Sequence, residues 1–200
     1  SSSSSSSNSP SRSSKRKRNK QINVDLTPGD VIVMKGDPKH ESQPMKGSRV
    51  VALLFYKRID GEVETPATIQ VLPGLVANPA GYVRDIQKHF NDSLSKERFY
   101  APWDKITNYT FAKEGKRAKR KINRDLVPCI TKLRKKIEKK IDNVKDYELV
   151  EAFVNWYSLE RGSSRSGIKQ HRDGTDMSIV VQLENNGEFT ANVEAMMYTL

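Results

Sequence analysis

Two of the three histidines in this chain have an acid or an arginine nearby at a spacing that suits chemistry. His171-Arg172-Asp173 places an imidazole and a carboxylate two residues apart, and on a strand that spacing puts both side chains on one face. One strand can thus supply two metal ligands, and a second imidazole would complete the two-His, one-carboxylate set that holds Fe(II). Taken alone, His-x-Asp is weak evidence for a metal site, and a surface turn is the more common explanation of such a motif. The single cysteine, Cys129, excludes an internal disulfide and a Cys-based zinc site.

The second histidine, His40, lies between two apolar segments near the other end of the chain. The turn signal Thr27-Pro28-Gly29 leads into the segment 30–34, and Arg49 follows His40 by nine residues and opens the segment 50–56. This arrangement resembles the closing hairpin of 2-oxoglutarate and Fe(II)-dependent dioxygenases, with the His-to-Arg spacing of prolyl hydroxylases. The resemblance implies that His40 is the third iron ligand. It also implies that Arg49 binds the distal carboxylate of 2-oxoglutarate, a planar anion that suits a bidentate guanidinium.

A further resemblance covers the residues before His171. Asn155 and Tyr157, then Gly167-Ile168, then His-x-Asp follow the order seen in AlkB-type nucleic-acid dealkylases, and the segment 72–75 before a helix is similar to the front of those domains. The resemblance implies that Asn155 and Tyr157 contact the co-substrate. The structural alternative, with Tyr157 at a core edge and Asn155 bonded to the backbone, stays open.

Two departures from the AlkB pattern concern the substrate. The position of the second AlkB arginine is Phe55, and the usual acid four steps after the first iron ligand is Thr175, followed by Asp176. Both departures argue against base repair and leave iron and 2-oxoglutarate chemistry in place. Arg172 and Asp176 are the residues predicted to meet the substrate.

The motifs occur in an unexpected order, because in the family His-x-Asp comes first and the His-Arg hairpin comes last. One explanation is a circularly permuted barrel, which would bring His40 beside His171 and Asp173. The other is a fragment that spans two tandem copies, which would leave no complete triad in a monomer. Surface termini make permutation geometrically acceptable. A single copy of each motif favours one permuted barrel.

Charge and composition point to an intracellular protein with anionic partners. The chain has 35 basic and 24 acidic residues, a net charge of +11 and a pI near 9.7. Residues 1–21, rich in Ser, Lys and Arg, are predicted to be a disordered tail. Residues 15–18 in that tail resemble a nuclear import signal, although a solvated linker fits as well. No membrane span or signal peptide is predicted.

The predicted elements form an α+β layout over residues 22–200. Helices are expected at 75–94 and 128–145, strands at 30–34, 50–56, 147–157 and 178–183, and a mobile basic insert at about 113–127. With the resemblance, this predicts a double-stranded β-helix (jelly roll) with supporting helices.

The predicted function is that of a dioxygenase using Fe(II), 2-oxoglutarate and O2. It would hydroxylate or oxidatively demethylate a nucleic acid or a nucleic-acid-associated protein. The alternative is a non-catalytic basic module that binds nucleic acid. The lysine-rich face of the second helix fits such binding, but it also fits simple solvation.

Overall fold

A computed structural model of the protein describes residues 20–42, 49–61, 65–92, 106–113, 128–157, 168–185 and 190–197. Within these ranges the chain forms ten β-strands and two α-helices. The elements in chain order are β1 Lys20–Asp25, β2 Val31–Lys35, β3 His40–Ser42, β4 Arg49–Arg58, β5 Thr68–Leu72, α1 Pro79–Asp92, β6 Ile106–Lys113, α2 Pro128–Glu138, a 3-10 turn Val144–Asp146, β7 Tyr147–Tyr157, β8 Ile168–His171, β9 Met177–Asn185 and β10 Thr190–Met197.

The strands assemble into two mostly antiparallel sheets. The larger sheet has the order β6-β7-β4-β9-β2-β5, and the smaller has the order β1-β10-β3-β8. The end of β10 runs parallel to β5 and joins the two sheets. Strands from distant parts of the chain therefore lie side by side, an arrangement compatible with a β-sandwich.

The larger sheet is covered on both faces, because alternate residues of each strand point to opposite sides. On the outer face, β4 residues such as Val50 and Leu54 pack with Ile86 of α1 and with Leu133 and Ile137 of α2. The inner face of β2 contributes Ile32 and Met34 to a second cluster. That cluster also contains residues of the smaller sheet: Val24, Val193 and Ala195. The inner face of the larger sheet thus fronts the smaller sheet.

The strongest sequence predictions are confirmed. All four predicted strands are present as β2, β4, β7 and β9. The helix predicted over 75–94 is present as Pro79–Asp92, and it begins at a proline, which suits a first helical turn. The second helix ends at Glu138 rather than at 145. Asn143 adopts a left-handed conformation with φ of 58°, which turns the chain into the 3-10 segment and then β7. Ile141 nevertheless stays buried against the outer-face core.

Two loop motifs noticed in the sequence meet at the start of β2. Asp30 is buried and accepts hydrogen bonds from the Thr27 amide through Oδ2 and from the Gly74 amide through Oδ1, both at 2.7 Å. Gly29 has φ of 102°, and a Cβ placed there would lie 2.6 Å from the carbonyl oxygen of Val76. Asp30 therefore anchors the turn before β2 to the loop after β5.

The predicted boundaries of the tail and insert need one correction each. Residues 1–19 lie outside the described part of the chain, but Lys20 and Gln21 belong to β1, where they pair with β10. Lys113 is the last residue of β6 rather than part of a loop, and residues 114–127 lie outside the described ranges. Within the described ranges, neither helix is long and apolar enough to cross a bilayer.

Candidate metal centre

The three predicted metal ligands come together in one chain. His40 is the first residue of β3 and lies directly opposite His171, the last residue of β8. Asp173 follows two residues later. The Oδ1 atom of Asp173 lies 3.6 Å from Nε2 of His40 and 3.5 Å from Nε2 of His171. One ligand atom from each residue lies within 4.8 Å of the other two, a group that could hold a metal ion.

The strand geometry predicted for His171 and Asp173 was wrong. β8 ends at His171, and Asp173 lies in the turn that precedes β9 rather than on the same strand. Gly174 adopts φ of 69°, so the backbone leaves the extended conformation at this point. The turn, and not strand alternation, brings the Asp173 carboxylate toward the two rings.

The centre lies between the two sheets. His40 pairs directly with Val193 of β10, and residues opposite one another in an antiparallel pair share a face. Val193 is buried in the cluster that joins the sheets, so His40 points toward the larger sheet. His171, opposite His40, points the same way, and the two ring centroids are 4.3 Å apart.

Backbone carbonyls fix the orientation of both rings. Nδ1 of His40 lies 3.1 Å from the carbonyl oxygen of Pro38, and Nδ1 of His171 lies 2.8 Å from that of Lys169. Because a carbonyl oxygen only accepts, each Nδ1 carries the proton and donates. Each Nε2 then has its lone pair available in the neutral ring, and such an outer hydrogen bond is typical of metal-binding histidines.

Burial and mutual charge set the protonation of the three side chains. Burial lowers the pKa of His40, despite the opposing charge of Asp173. In its protonated form the His171 ring donates from Nε2 to Asp173, and this hydrogen bond raises the pKa of His171 above that of an ordinary histidine. Burial alone would raise the pKa of Asp173, but the hydrogen bond with His171 and the charge of His40 outweigh it and lower the pKa. Asp173 is therefore a carboxylate at neutral pH.

The donor set fits a divalent transition metal. Two imidazole nitrogens and one carboxylate are the ligands of the facial triad. The Oδ2 atom of Asp173 is buried and accepts no hydrogen bond from the described residues, which suits a carboxylate that faces a cation. The Asp173 side chain is 5% exposed and that of His40 14%, whereas that of His171 is 36% exposed. The centre is therefore shielded on two sides and open beside His171.

Arg49 is buried at the start of β4 and lies on the inner face of the larger sheet. Its side chain is in contact with Gln182 of β9, whose Oε1 accepts a hydrogen bond of 3.2 Å from the Arg49 Nε. Gln182 is completely buried and donates in turn to the carbonyl of Glu184. The amide thus holds the guanidinium in one orientation. Gln182 was not singled out from the sequence, where it is one polar residue in an apolar strand.

Asn155 and Tyr157 both lie on β7, as predicted. Asn155 is 8% exposed and pairs with Val51 of β4, which places it on the inner face beside Phe153. Tyr157 pairs with Arg49 across the strands. The side chain of Tyr157 lies outside the described part of the structure, so its predicted contact stays a prediction.

One row of β9 connects the triad with Arg49. Ser178, Val180 and Gln182 alternate with the residues that join the outer-face core, so they share the inner face. Ser178 lies close enough to Asp173 to help lower its pKa, and Gln182 holds Arg49. Ser178 and Gln182 are four residue steps apart along the strand, or roughly 13 Å.

The two predicted substrate residues make contacts within the chain. Arg172 is exposed, and its guanidinium donates to the carbonyl of Asp37. The Oδ2 atom of Asp176 accepts a 2.8 Å hydrogen bond from the Arg58 amide at the end of β4. Their contact with substrate stays a prediction. Asp37 itself was missed, although the Gly36-Asp37-Pro38 sequence is a turn signal.

Comparisons with protein-family models, with curated proteins and with solved structures give no match.

Proposed function

We propose that this protein is an Fe(II)- and 2-oxoglutarate-dependent dioxygenase. The single observation that carries the proposal is the meeting of His40, His171 and Asp173, with both histidine Nε2 atoms directed at one buried carboxylate. These three residues would hold the iron and leave three adjacent positions for other ligands. When bound, iron and 2-oxoglutarate would allow O2 to oxidise a C–H bond of the substrate, and 2-oxoglutarate would be decarboxylated in the same reaction.

The chain's own residues fit the binding of a dicarboxylate beside that iron. Arg49 would bind the distal carboxylate through its guanidinium, with its orientation fixed by Gln182. Asn155 lies on the same inner face, and Tyr157 would be the third contact. The roughly 13 Å from Ser178 to Gln182 along β9 leaves room for a short co-substrate between two inward-reaching side chains.

The architecture supports a double-stranded β-helix in permuted strand order. Two sheets face one another, and the hairpin strands β3 and β4 precede β8 and β9 in the sequence while lying beside them in space. In this arrangement one chain supplies all three ligands, and no second copy is needed to complete the triad. We therefore favour the permuted barrel over the two-copy fragment.

The basic surface favours a nucleic acid, or a protein associated with one, as the substrate, and a nuclear location. One side of the α2 region presents exposed lysines at helical spacing: Lys132, Lys135, Lys136, Lys139 and Lys140. Glu138, the acid within this helix, is turned away and bonds to Tyr56 and Arg134. The exposed side is therefore uniformly cationic, as contact with a phosphate backbone requires.

The test is anaerobic addition of Fe(II) and 2-oxoglutarate to the purified protein. We expect a new absorption band in the visible, and succinate release once O2 and a substrate are admitted. His40→Ala should abolish the band. His89→Ala, which replaces the third histidine of the chain, in α1, is the control and should keep the band. If the wild-type protein shows no new absorption band on addition of Fe(II) and 2-oxoglutarate, the proposal is overturned.

The α2 lysines also favour a second candidate, a non-catalytic module that binds nucleic acid. Such a module would bind single-stranded DNA or RNA with an affinity that falls steeply with salt and is indifferent to metal. A silent iron titration combined with salt-sensitive binding would select it. Replacing Lys132, Lys136 and Lys139 by Gln should then weaken binding and flatten the salt dependence, since each lost phosphate contact lowers the slope by about 0.7 to 0.9.

A further inference from the structure

The turn between β2 and β3 lies against the turn that carries Asp173. The Oδ1 atom of Asp37 accepts hydrogen bonds from the backbone amides of Asp173 at 3.0 Å and Gly174 at 3.1 Å. The Asp37 carbonyl accepts a further bond from Arg172. These contacts join two segments that are 136 residues apart in the sequence.

The same turn also holds the other side of the metal centre. The carbonyl of Pro38, next to Asp37, fixes the ring of His40. Neighbouring backbone bonds, from the Gly36 amide to the Asp176 carbonyl at 3.0 Å and from the Glu194 amide to the Lys39 carbonyl at 2.9 Å, secure both ends of the turn. His40 and Asp173 are therefore held by a single short segment, with Asp37 at its middle.

The backbone conformation of this turn allows the Asp37 carboxylate to reach the Asp173 and Gly174 amides. Gly36 and Asp37 are successive residues with φ of 74° and 48°. A left-handed conformation is uncommon outside glycine, and Asp and Asn tolerate it better than most residues. It directs the short Asp37 carboxylate at the two amides. Its Oδ1 is committed to backbone donors, and among the described residues the group whose ligand atoms lie within 4.8 Å of one another is His40, His171 and Asp173, so Asp37 acts beside the ligand group.

We propose that Asp37 is a positioning residue of the metal centre, which sets the distance between the Asp173 carboxylate and His40 by binding the backbone of the Asp173 turn. The inference rests on the proposed binding of a metal by the triad, and it adds a residue that the resemblance does not supply. Partners of this kind, which orient the ligands, typically change metal affinity by about 10- to 100-fold when they are removed.

The test uses two substitutions that suit the left-handed backbone. Asp37→Gly removes the carboxylate without strain at φ of 48°. Asp37→Asn keeps an oxygen that can accept both amide bonds and loses only the charge. Binding of Mn(II) to the metal-free full chain is followed by the electron paramagnetic resonance of free Mn(II). The visible spectrum of the Co(II)-loaded chain reports coordination geometry.

We expect Asp37→Gly to weaken Mn(II) binding by about 10- to 100-fold and to alter the Co(II) spectrum. Asp37→Asn should keep Mn(II) affinity and the Co(II) spectrum close to those of the wild type. The matched control is Asp30→Ala, because Asp30 forms the same kind of carboxylate-to-amide anchor at the opposite end of β2. That variant should lower the melting temperature and leave Mn(II) affinity unchanged.

The outcomes separate this inference from the proposed function. Wild-type affinity and spectrum in Asp37→Gly would overturn the role of Asp37 while leaving the metal site intact. An equal loss of Mn(II) affinity in Asp30→Ala would also overturn the role of Asp37, because a general loss of stability would then explain the result for both variants. Absence of Mn(II) and Co(II) binding by the wild-type chain would overturn the metal site and this inference together.

Discussion

Both faces of the larger sheet contain buried residues, but the two faces are chemically unlike. The outer face, under α1 and α2, is lined by aliphatic side chains such as Leu54 and Ile179, and its one buried hydroxyl-bearing ring is Tyr56. The inner face has buried polar groups among its apolar residues: Arg49, Asn155, Ser178 and Gln182. All four lie toward the smaller sheet, on which the histidines of the triad are carried.

This difference indicates that one face of the sheet contributes mainly to stability and the other mainly to ligand binding. A buried arginine bonded to a glutamine adds little net stability, because desolvation of the charge offsets much of the interaction. An aliphatic pair would fill the same space at least as well. The polar inner face therefore makes sense as a binding surface, whereas the outer face accounts for much of the hydrophobic stabilisation. Substitutions on the two faces should have separable effects.

The largest effect is expected from Arg49→Ala on the inner face. Loss of a buried charge-assisted contact typically costs about 2 to 5 kcal/mol, so the dissociation constant of 2-oxoglutarate should rise by roughly 30-fold to several thousand-fold. Calorimetric titration of the Mn(II)-loaded protein with 2-oxoglutarate measures this dissociation constant. Arg49→Lys should recover only part of the loss, because an ammonium cannot form the bidentate pair. Unchanged affinity in Arg49→Ala would remove Arg49 from the site.

On the outer face, the substitution with the next largest effect is Leu133→Ala in α2. Leu133 is fully buried against the sheet, and truncation of such a leucine costs about 3 kcal/mol of unfolding free energy. Chemical denaturation of the metal-free protein measures this loss. Because the cavity opens on the far side of the sheet, the affinity of the folded protein for Mn(II) and 2-oxoglutarate should stay at the wild-type value. A matching loss of affinity would mean that the two faces are coupled.

The sequence predicted those parts of the fold whose signal is local. β4 and β9 are long apolar runs, and α1 begins at a proline, so each was predictable without its neighbours. β3 has three residues, and β8 reads Ile-Lys-Gln-His, so neither has an apolar pattern. Both are strands because their backbones pair with each other and, for β3, with β10. Such pairing depends on tertiary context.

In the candidate site, too, the residues with a local sequence signal were predictable and those defined by tertiary contacts were not. His40, His171 and Asp173 were predictable because the resemblance depends on residue types at short spacing. Gln182 and Asp37 were not, because each role consists of hydrogen bonds to residues 133 and 136 positions away. The geometry of Asp173 was predicted wrongly for a related reason: Asp37, which is 136 positions from Asp173, accepts hydrogen bonds from the amides of the turn that carries Asp173.

The smallest effect is expected from Tyr56→Phe, which probes a polar link between the outer face and α2. The Tyr56 hydroxyl donates to Oε1 of Glu138 at 3.0 Å, and Glu138 also accepts from Arg134 at 2.6 Å. Glu138 keeps its arginine when the hydroxyl is removed, so the loss of unfolding free energy should be about 1 to 2 kcal/mol, with metal affinity unchanged.

The same variant has a distinct pH signature. Burial, and then the charge of Glu138, raise the pKa of Tyr56 above its usual value of 10. The unfolded chain therefore loses this proton at a lower pH than the folded chain does, and the contribution of Tyr56 to stability declines as the pH rises above 10. The unfolding free energy measured between roughly pH 8 and pH 11 should fall less steeply with pH for Tyr56→Phe than for the wild type. Parallel curves would indicate that the hydroxyl is hydrated rather than bonded to α2, and the contrast between an aliphatic outer face and a polar inner face would then be sharper.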